Sequence, residues 1–244
     1  MASITDTDAS PPPLALTCTI CNLPAKDCAR CKSAAYCSSE CQTLDWPLHK
    51  TLCKKITTMS PRPSPTHKLG ILFSPDSEKP ELVWVNYKKI EIPGVEGQFE
   101  LPDVDRFLTY GSGDSYDSEK LLIEPRLIMR ARNIKHTLAV YMRDNFGSDG
   151  SKMTQSASSI TAGKMKHGWK GPLIVVAMEG QSVPQGRILK IGEMSISFGT
   201  FTAFQRSTDI ALRNFRVIHD YFLAYPHGSE GELTLKDQHG SSMI

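Results

Sequence analysis

The chain has 244 residues, 40% of them hydrophobic and 22% charged, enough for one globular domain of ordinary size with a small module beside it. A net charge of +2 leaves no overall field that would draw the chain to nucleic acid or to an anionic membrane. The longest apolar run, Pro172 to Met178, is far too short to span a bilayer.

Residues 1–16 carry Asp6, Asp8 and the run Pro11-Pro12-Pro13, without the basic start and apolar stretch of a signal peptide. They read as a disordered leader, and the protein as cytoplasmic or nuclear. Residues 17–55 form a Cys-rich module. Residues 56–66, rich in Pro and Ser, read as a linker whose Ser60-Pro61 and Ser64-Pro65 could accept phosphate. Residues 67–225 hold the segments able to build a larger core, and residues 226–244 read as a flexible tail.

Within 67–225, Glu81 to Ile92 alternates, with Val83, Val85 and Tyr87 on one face and Trp84, Asn86 and Lys88 on the other. This predicts a strand paired with Lys68–Phe73 across the Ser74–Pro80 turn. Thr137–Met142 and Leu173–Met178 are further strands, the second apolar enough to lie mid-sheet. Leu212–Tyr225 has Phe215, Ile218, Phe222 and Tyr225 at helical spacing, and Pro102–Leu108 reads as a shorter helix. Strands and helices do not alternate strictly, which predicts an α+β domain.

All seven cysteines fall before residue 54. An odd number, in a chain read as lacking an export signal, argues for metal ligands over a disulfide framework. The string is Cys18-x2-Cys21-x6-Cys28-x2-Cys31-x5-Cys37-x3-Cys41-x7-His49-x3-Cys53. A Cys-x2-Cys turn brings two sulfurs to one zinc. Cys37 with Cys41, and His49 with Cys53, are four apart and share a face if helical. Ser39 and Gln42 fit a capping box for one helix, and Asp45 can cap a second with Pro47 in its first turn. Eight ligands suit two four-ligand zinc sites, and spacing alone leaves sequential and interleaved pairing both open. The module's few large apolar residues cannot form a sufficient core, whereas structural zinc contributes about 10–16 kcal/mol per site.

Beyond the ligands, Tyr36-Cys37, Cys41-Gln42 and Asp45-Trp46 followed by His49 and Cys53 closely resemble the MYND zinc finger. The resemblance implies a cross-brace: Cys18, Cys21, Cys37 and Cys41 on one zinc, and Cys28, Cys31, His49 and Cys53 on the other. The remainder, including His167–Pro172 and the Phe215–Tyr225 helix, is similar to the C-terminal region of uncharacterised fungal MYND proteins, a likeness that assigns no activity. The expected fold is thus a two-zinc MYND finger followed by a larger α+β domain.

The resemblance implies an adaptor that binds proline-rich segments of partner proteins, often Pro-x-Leu-x-Pro, with Gln42 and Trp46 in the groove. An aromatic face suits a polyproline helix. The competing reading makes Trp46 a core residue of the finger. Between the third and fourth cysteines, where some peptide-binding members carry a small polar residue, stands Ala29-Arg30. A nucleic-acid-associated transcriptional regulator is a second possibility. Against direct binding, six basic residues (Lys26, Arg30, Lys32, Lys50, Lys54, Lys55) are offset by Asp27, Glu40, Asp45 and seven thiolates, leaving the two-zinc finger neutral. A protein methyltransferase-like enzyme in residues 67–225 is a third, because MYND fingers also occur inside SET-type methyltransferases. That family's Asn-His motif is missing, as are phosphate-loop, nucleophile-elbow and His-Glu-x-x-His patterns. His136, His167 and His219 read as structural, so no catalytic residue is assigned.

Overall fold

The computed structural model describes residues 16–91, 96–109, 118–123, 136–179, 189–191, 194–196 and 204–225. The proline run of the leader and the tail beyond Tyr225 lie outside the described residues.

The Cys-rich segment folds as two short antiparallel strands, β1 (Lys26–Asp27) and β2 (Ala35–Tyr36), followed by one helix, α1 (Ser39–Thr57). Two helices were expected here, capped by Ser39 and Asp45. The structure has one, capped by Ser38, whose hydroxyl accepts from the Cys41 N–H at 3.3 Å. It continues through Pro47, although an interior proline removes a ladder bond and costs about 3 kcal/mol. The compensation is the buried face around that proline: Asp45, Leu48, His49, Leu52 and Cys53.

The rest of the chain supplies β3 (His67–Phe73), β4 (Glu81–Glu91), β5 (Gln98–Pro102), α2 (Asp105–Leu108), β6 (Ser118–Ile123), β7 (Thr137–Arg143) and α3 (Gln155–Ile160). It continues with β8 (Leu173–Glu179), β9 (Leu189–Ile191), β10 (Met194–Ile196), β11 (Arg206–Thr208) and α4 (Leu212–Ala224). The predicted β3–β4 hairpin, β7, β8 and α4 are all present. Six strands lie in the order β5-β4-β3-β8-β7-β6, antiparallel throughout. The edge of β8 facing β3 is shared, since β3 pairs with Leu173–Val175 and β11 pairs with Ala177–Glu179. The far strand β5 meets the start of β11, where Glu100 N–H donates to Phe204 O at 3.0 Å and Glu100 Oε2 accepts from Ser207 N–H at 2.7 Å. The sheet therefore curls back toward itself.

Strand alternation divides the core between the two faces of the sheet. Ile174, Val176 and Met178 pack with Val85, Tyr87, Tyr141, Val104, Leu108 and Phe204 on one face. Leu173, Val175 and Ala177 pack on the other with Ile71, Phe73, Leu138, Val140 and α4. Gly70 lets β4 and β8 approach, because a Cβ there would lie 3.1 Å from Val85 Cγ2 and 3.2 Å from Val175 O.

The α4 face also takes in the Cys-rich segment. Cys28, Cys31, Ala34, Tyr36, Leu48, Leu52 and Cys53 belong to the same apolar cluster as Phe73, Phe215 and Phe222. Lys55 Nζ donates to Pro80 O at 2.9 Å. Of the stretch read as a linker, Ile56 and Thr57 complete α1. The remainder is pinned: Trp84 Nε1 donates to Ser60 O at 3.1 Å, and Arg62 stacks over Trp84 while pairing with Asp209 at 2.5 Å.

Candidate metal centre

Each Cys-x2-Cys turn is followed by a residue in the left-handed region, Asn22 (φ 62°) and Lys32 (φ 54°). In both, the N–H of that residue donates 3.1 Å back to the carbonyl of the first cysteine, Cys18 or Cys28. The repeated geometry makes two equivalent knuckles. Strand β2 ties them together, since Thr19 N–H donates to Ala35 O and Cys28 N–H to Ala34 O, both at 2.8 Å.

Cys37, between β2 and the cap of α1, and Cys41 in the first turn of α1 join the first knuckle, and later turns of α1 bring His49 and Cys53 to the second. Cys18, Cys21, Cys37 and Cys41 form one cluster and Cys28, Cys31, His49 and Cys53 the other, with ligand atoms in each within 4.8 Å of one another. The pairing is interleaved, as the resemblance implied. In the first, Sγ–Sγ separations are 3.3 Å (Cys21–Cys37), 3.6 Å (Cys37–Cys41) and 3.9 Å (Cys21–Cys41). In the second, Cys28 Sγ lies 4.0 Å from Cys53 Sγ, and Cys31 Sγ 3.7 Å from His49 Nε2. A tetrahedral zinc with bonds of about 2.3 Å to sulfur and 2.0–2.1 Å to nitrogen sets these edges near roughly 3.8 and 3.6 Å. A disulfide would require about 2.05 Å, and all seven cysteines are free.

The chemistry of the donors fits as well. Four thiols this close cannot all release their protons unless a cation shares the charge. Burial, with Cys31 and Cys28 alongside, pushes the Cys53 thiol up to about 12. Hydrogen bonds to the sulfurs of Cys21 and Cys41 push Cys37 to about 12. Burial also raises Cys18, but N–H groups of Cys21, Ile20 and Cys37 outweigh it and bring the thiol down to about 7. Burial lowers the His49 pKa, favouring the neutral imidazole a metal needs. These residues fit two zinc ions, each held by four protein ligands with no position left for substrate.

The clusters differ in exposure. Cys21 and Cys37 of the first are exposed, whereas Cys28, Cys31 and Cys53 of the second are buried in the cluster that includes α4. The second knuckle also caps that helix. Ala211, at the N-cap of α4, has no side-chain acceptor. Ser33, two residues after Cys31, supplies them: its Oγ accepts from Leu212 N–H at 2.8 Å and its carbonyl from Arg213 N–H at 3.1 Å. Nearby, Asp45 accepts from Tyr36 OH at 2.7 Å and from Arg216 Nε at 2.8 Å. Asp45 is therefore not a helix cap but the buried link between the finger and α4. Ser33 and Arg216 carried no sequence signal, because their partners lie more than 170 positions away.

Trp46 and Gln42 are both exposed on α1, Trp46 at 40%. The Trp46 ring lies 6.0 Å from that of His49, and Leu44, on a different face of the helix, is 64% exposed. Of the histidines read as structural, His136 faces Glu179 at 3.4 Å and His219 bonds Asp220 at 2.8 Å. His167 stands edge-on to Trp169 and Tyr225. No described helix is long and apolar enough to cross a membrane.

Residues 18–53 match the family model of the MYND finger. The Dauer abnormal formation protein 25 of Caenorhabditis elegans is 49% identical over 43 residues, 17% of this chain and 11% of its own. SET domain-containing protein 14 of the same nematode is 58% identical over 33 residues, 14% of this chain and 8% of its own. The N-lysine methyltransferase SMYD2 of Mus musculus is 46% identical over 44 residues, 18% of this chain and 10% of its own. The chain thus covers only 8–11% of the length of these relatives, and the likeness lies in the finger. No solved structure matches it. Residues 18–53 are a MYND finger with two cysteine-rich zinc sites, a protein-interaction module that is itself non-catalytic.

Proposed function

We propose that the protein is a zinc-dependent adaptor whose α1 helix presents Gln42 and Trp46 to a proline-rich segment of a partner protein. The observation carrying this reading is the exposure of Trp46. A tryptophan serving only as finger core would be buried, as Leu48 and Leu52 are. Instead it stands one turn beyond the exposed Gln42 on a helix whose inner side is fastened by Asp45, His49 and Cys53. A rigid, half-exposed indole beside an amide is a ready platform for proline rings. The likeness to SET-type relatives supports no catalytic reading, because it does not extend to residues 67–225.

The test titrates a Pro-x-Leu-x-Pro peptide library into the full chain and follows the amide resonances of residues 36–50. Saturable shifts are expected. Trp46→Ala should weaken binding by about 2 kcal/mol, close to thirty-fold. Gln42→Ala should weaken it without altering the fold. Shifts that are absent with every peptide would refute the reading.

A further inference from the structure

We infer that the first zinc site is a redox-sensitive modification site, at which a hydroperoxide joins Cys21 to Cys37 and expels one zinc while the second zinc and the body stay intact. Three observations point the same way. Cys21 and Cys37 lie at the surface, whereas Cys18 and the cysteines of the second site are buried, so an oxidant in solvent meets these two first. Their Sγ atoms are 3.3 Å apart, closer than the 3.6 Å of Cys37–Cys41, the 3.9 Å of Cys21–Cys41 and the 4.0 Å of Cys28–Cys53, and a disulfide needs them to close by little more than an ångström, to about 2.05 Å. The second site has the opposite character. Cys28, Cys31 and Cys53 lie within the apolar cluster shared with the sheet and α4, and Ser33 next to them caps that helix. Thiolate character and access together select which cysteines oxidise. Both sites offer zinc-bound thiolates, so access decides.

The step balances. One exposed thiolate attacks an oxygen of hydrogen peroxide, the O–O bond breaks, hydroxide leaves and the sulfur becomes a sulfenic acid. The other thiolate attacks that sulfur, the S–S bond forms and the S–O bond breaks, releasing a second hydroxide. The two sulfurs lose the two electrons that peroxide gains, and two protons from the buffer convert the hydroxides to water. Only Cys18 and Cys41 would then remain to hold a zinc at this site, half the ligand set it needs. Because Cys41 adjoins Gln42, the helix start that presents the proposed peptide face loses its anchor. That last consequence rests on the adaptor reading, whereas the zinc count does not.

The experiment loads the full, unaltered chain with zinc and adds hydrogen peroxide. It follows released metal with a chromogenic chelator, thiol state by alkylation and peptide mass mapping, and α4 by hydrogen exchange. One zinc equivalent should appear roughly ten-fold or more faster than the second, with Cys21–Cys37 as the first disulfide and α4 still protected at that stage. Release of both zincs at one rate would overturn the inference. So would oxidation of Cys28, Cys31 or Cys53 as early as that of Cys21 and Cys37, or oxidation of Cys21 and Cys37 that leaves both zincs bound. Loss of peptide binding is read separately. If it fails to follow a confirmed Cys21–Cys37 disulfide, the adaptor reading is at fault and the redox site stands.

Discussion

Replacing Asp45 with alanine should destabilise the whole molecule, not the finger alone. Asp45 is 2% exposed and takes two hydrogen bonds, from Tyr36 OH at 2.7 Å and Arg216 Nε at 2.8 Å. Without it, Tyr36 keeps a donor with no acceptor and Arg216 a guanidinium, its side chain 14% exposed, with its nearest anion gone. Breaking a buried ion pair from one side costs about 3–5 kcal/mol. Arg216 retains Leu44 O at 3.4 Å and Asp220 at 3.8 Å, so the lower end, about 3 kcal/mol, applies. For a chain of this size that lowers the melting temperature by roughly 6–12 °C. Calorimetry of the zinc-loaded chain measures it. Adding Arg216→Met removes the orphaned charge and should recover part of the loss, which a double-mutant cycle reads as coupling. A loss below about 1 kcal/mol, or a variant whose finger melts apart from an unaffected sheet, would refute the reasoning.

Ser33→Ala removes a side-chain acceptor from the start of α4 and should cost about 1 kcal/mol, with faster hydrogen exchange at Leu212 and unchanged zinc content. If only finger amides respond, Ser33 is not the cap. Gly70→Ala places a methyl 3.1 Å from Val85 Cγ2 and 3.2 Å from a backbone oxygen, and overpacking of this kind costs about 1–3 kcal/mol in chemical denaturation. A neutral or stabilising result would mean that β4 and β8 separate freely. Native mass spectrometry of protein purified without added zinc should find two zinc ions per chain and no disulfide. One ion, or none, would contradict the two-site geometry.

What was legible in the sequence was local or strongly typed. The ligand string reads directly because thiolates at fixed spacing have few other uses, and the β3–β4 hairpin and α4 read from alternation and helical spacing. The path of α1 was misread at Pro47, since the burial that carries a helix through a proline comes from tertiary partners. Helix α3 escaped notice because it is held by polar contacts rather than an apolar stripe, with Ser156 Oγ accepting from Ser74 N–H at 2.8 Å. Strand β11 is three residues long and exists by virtue of its pairing with β8. The join between finger and sheet was least visible of all. Ser33 and Leu212 are ordinary residues until the fold brings together positions 179 apart. Equally invisible was the sharing of one core, in which Cys28, Cys31 and Cys53 pack in the same cluster as Phe215 and Phe222.

The integration of the second zinc site into the body is tested most directly by titrating a chelator into the intact two-zinc chain while following hydrogen exchange in α4 and β8. Loss of the first zinc should leave Leu212–Phe222 protected. Loss of the second should release the Ser33 cap and expose α4 together with the finger, because folding free energy of the site and metal binding are linked. Full protection of α4 with both zincs removed would contradict that integration and leave the finger a separable attachment.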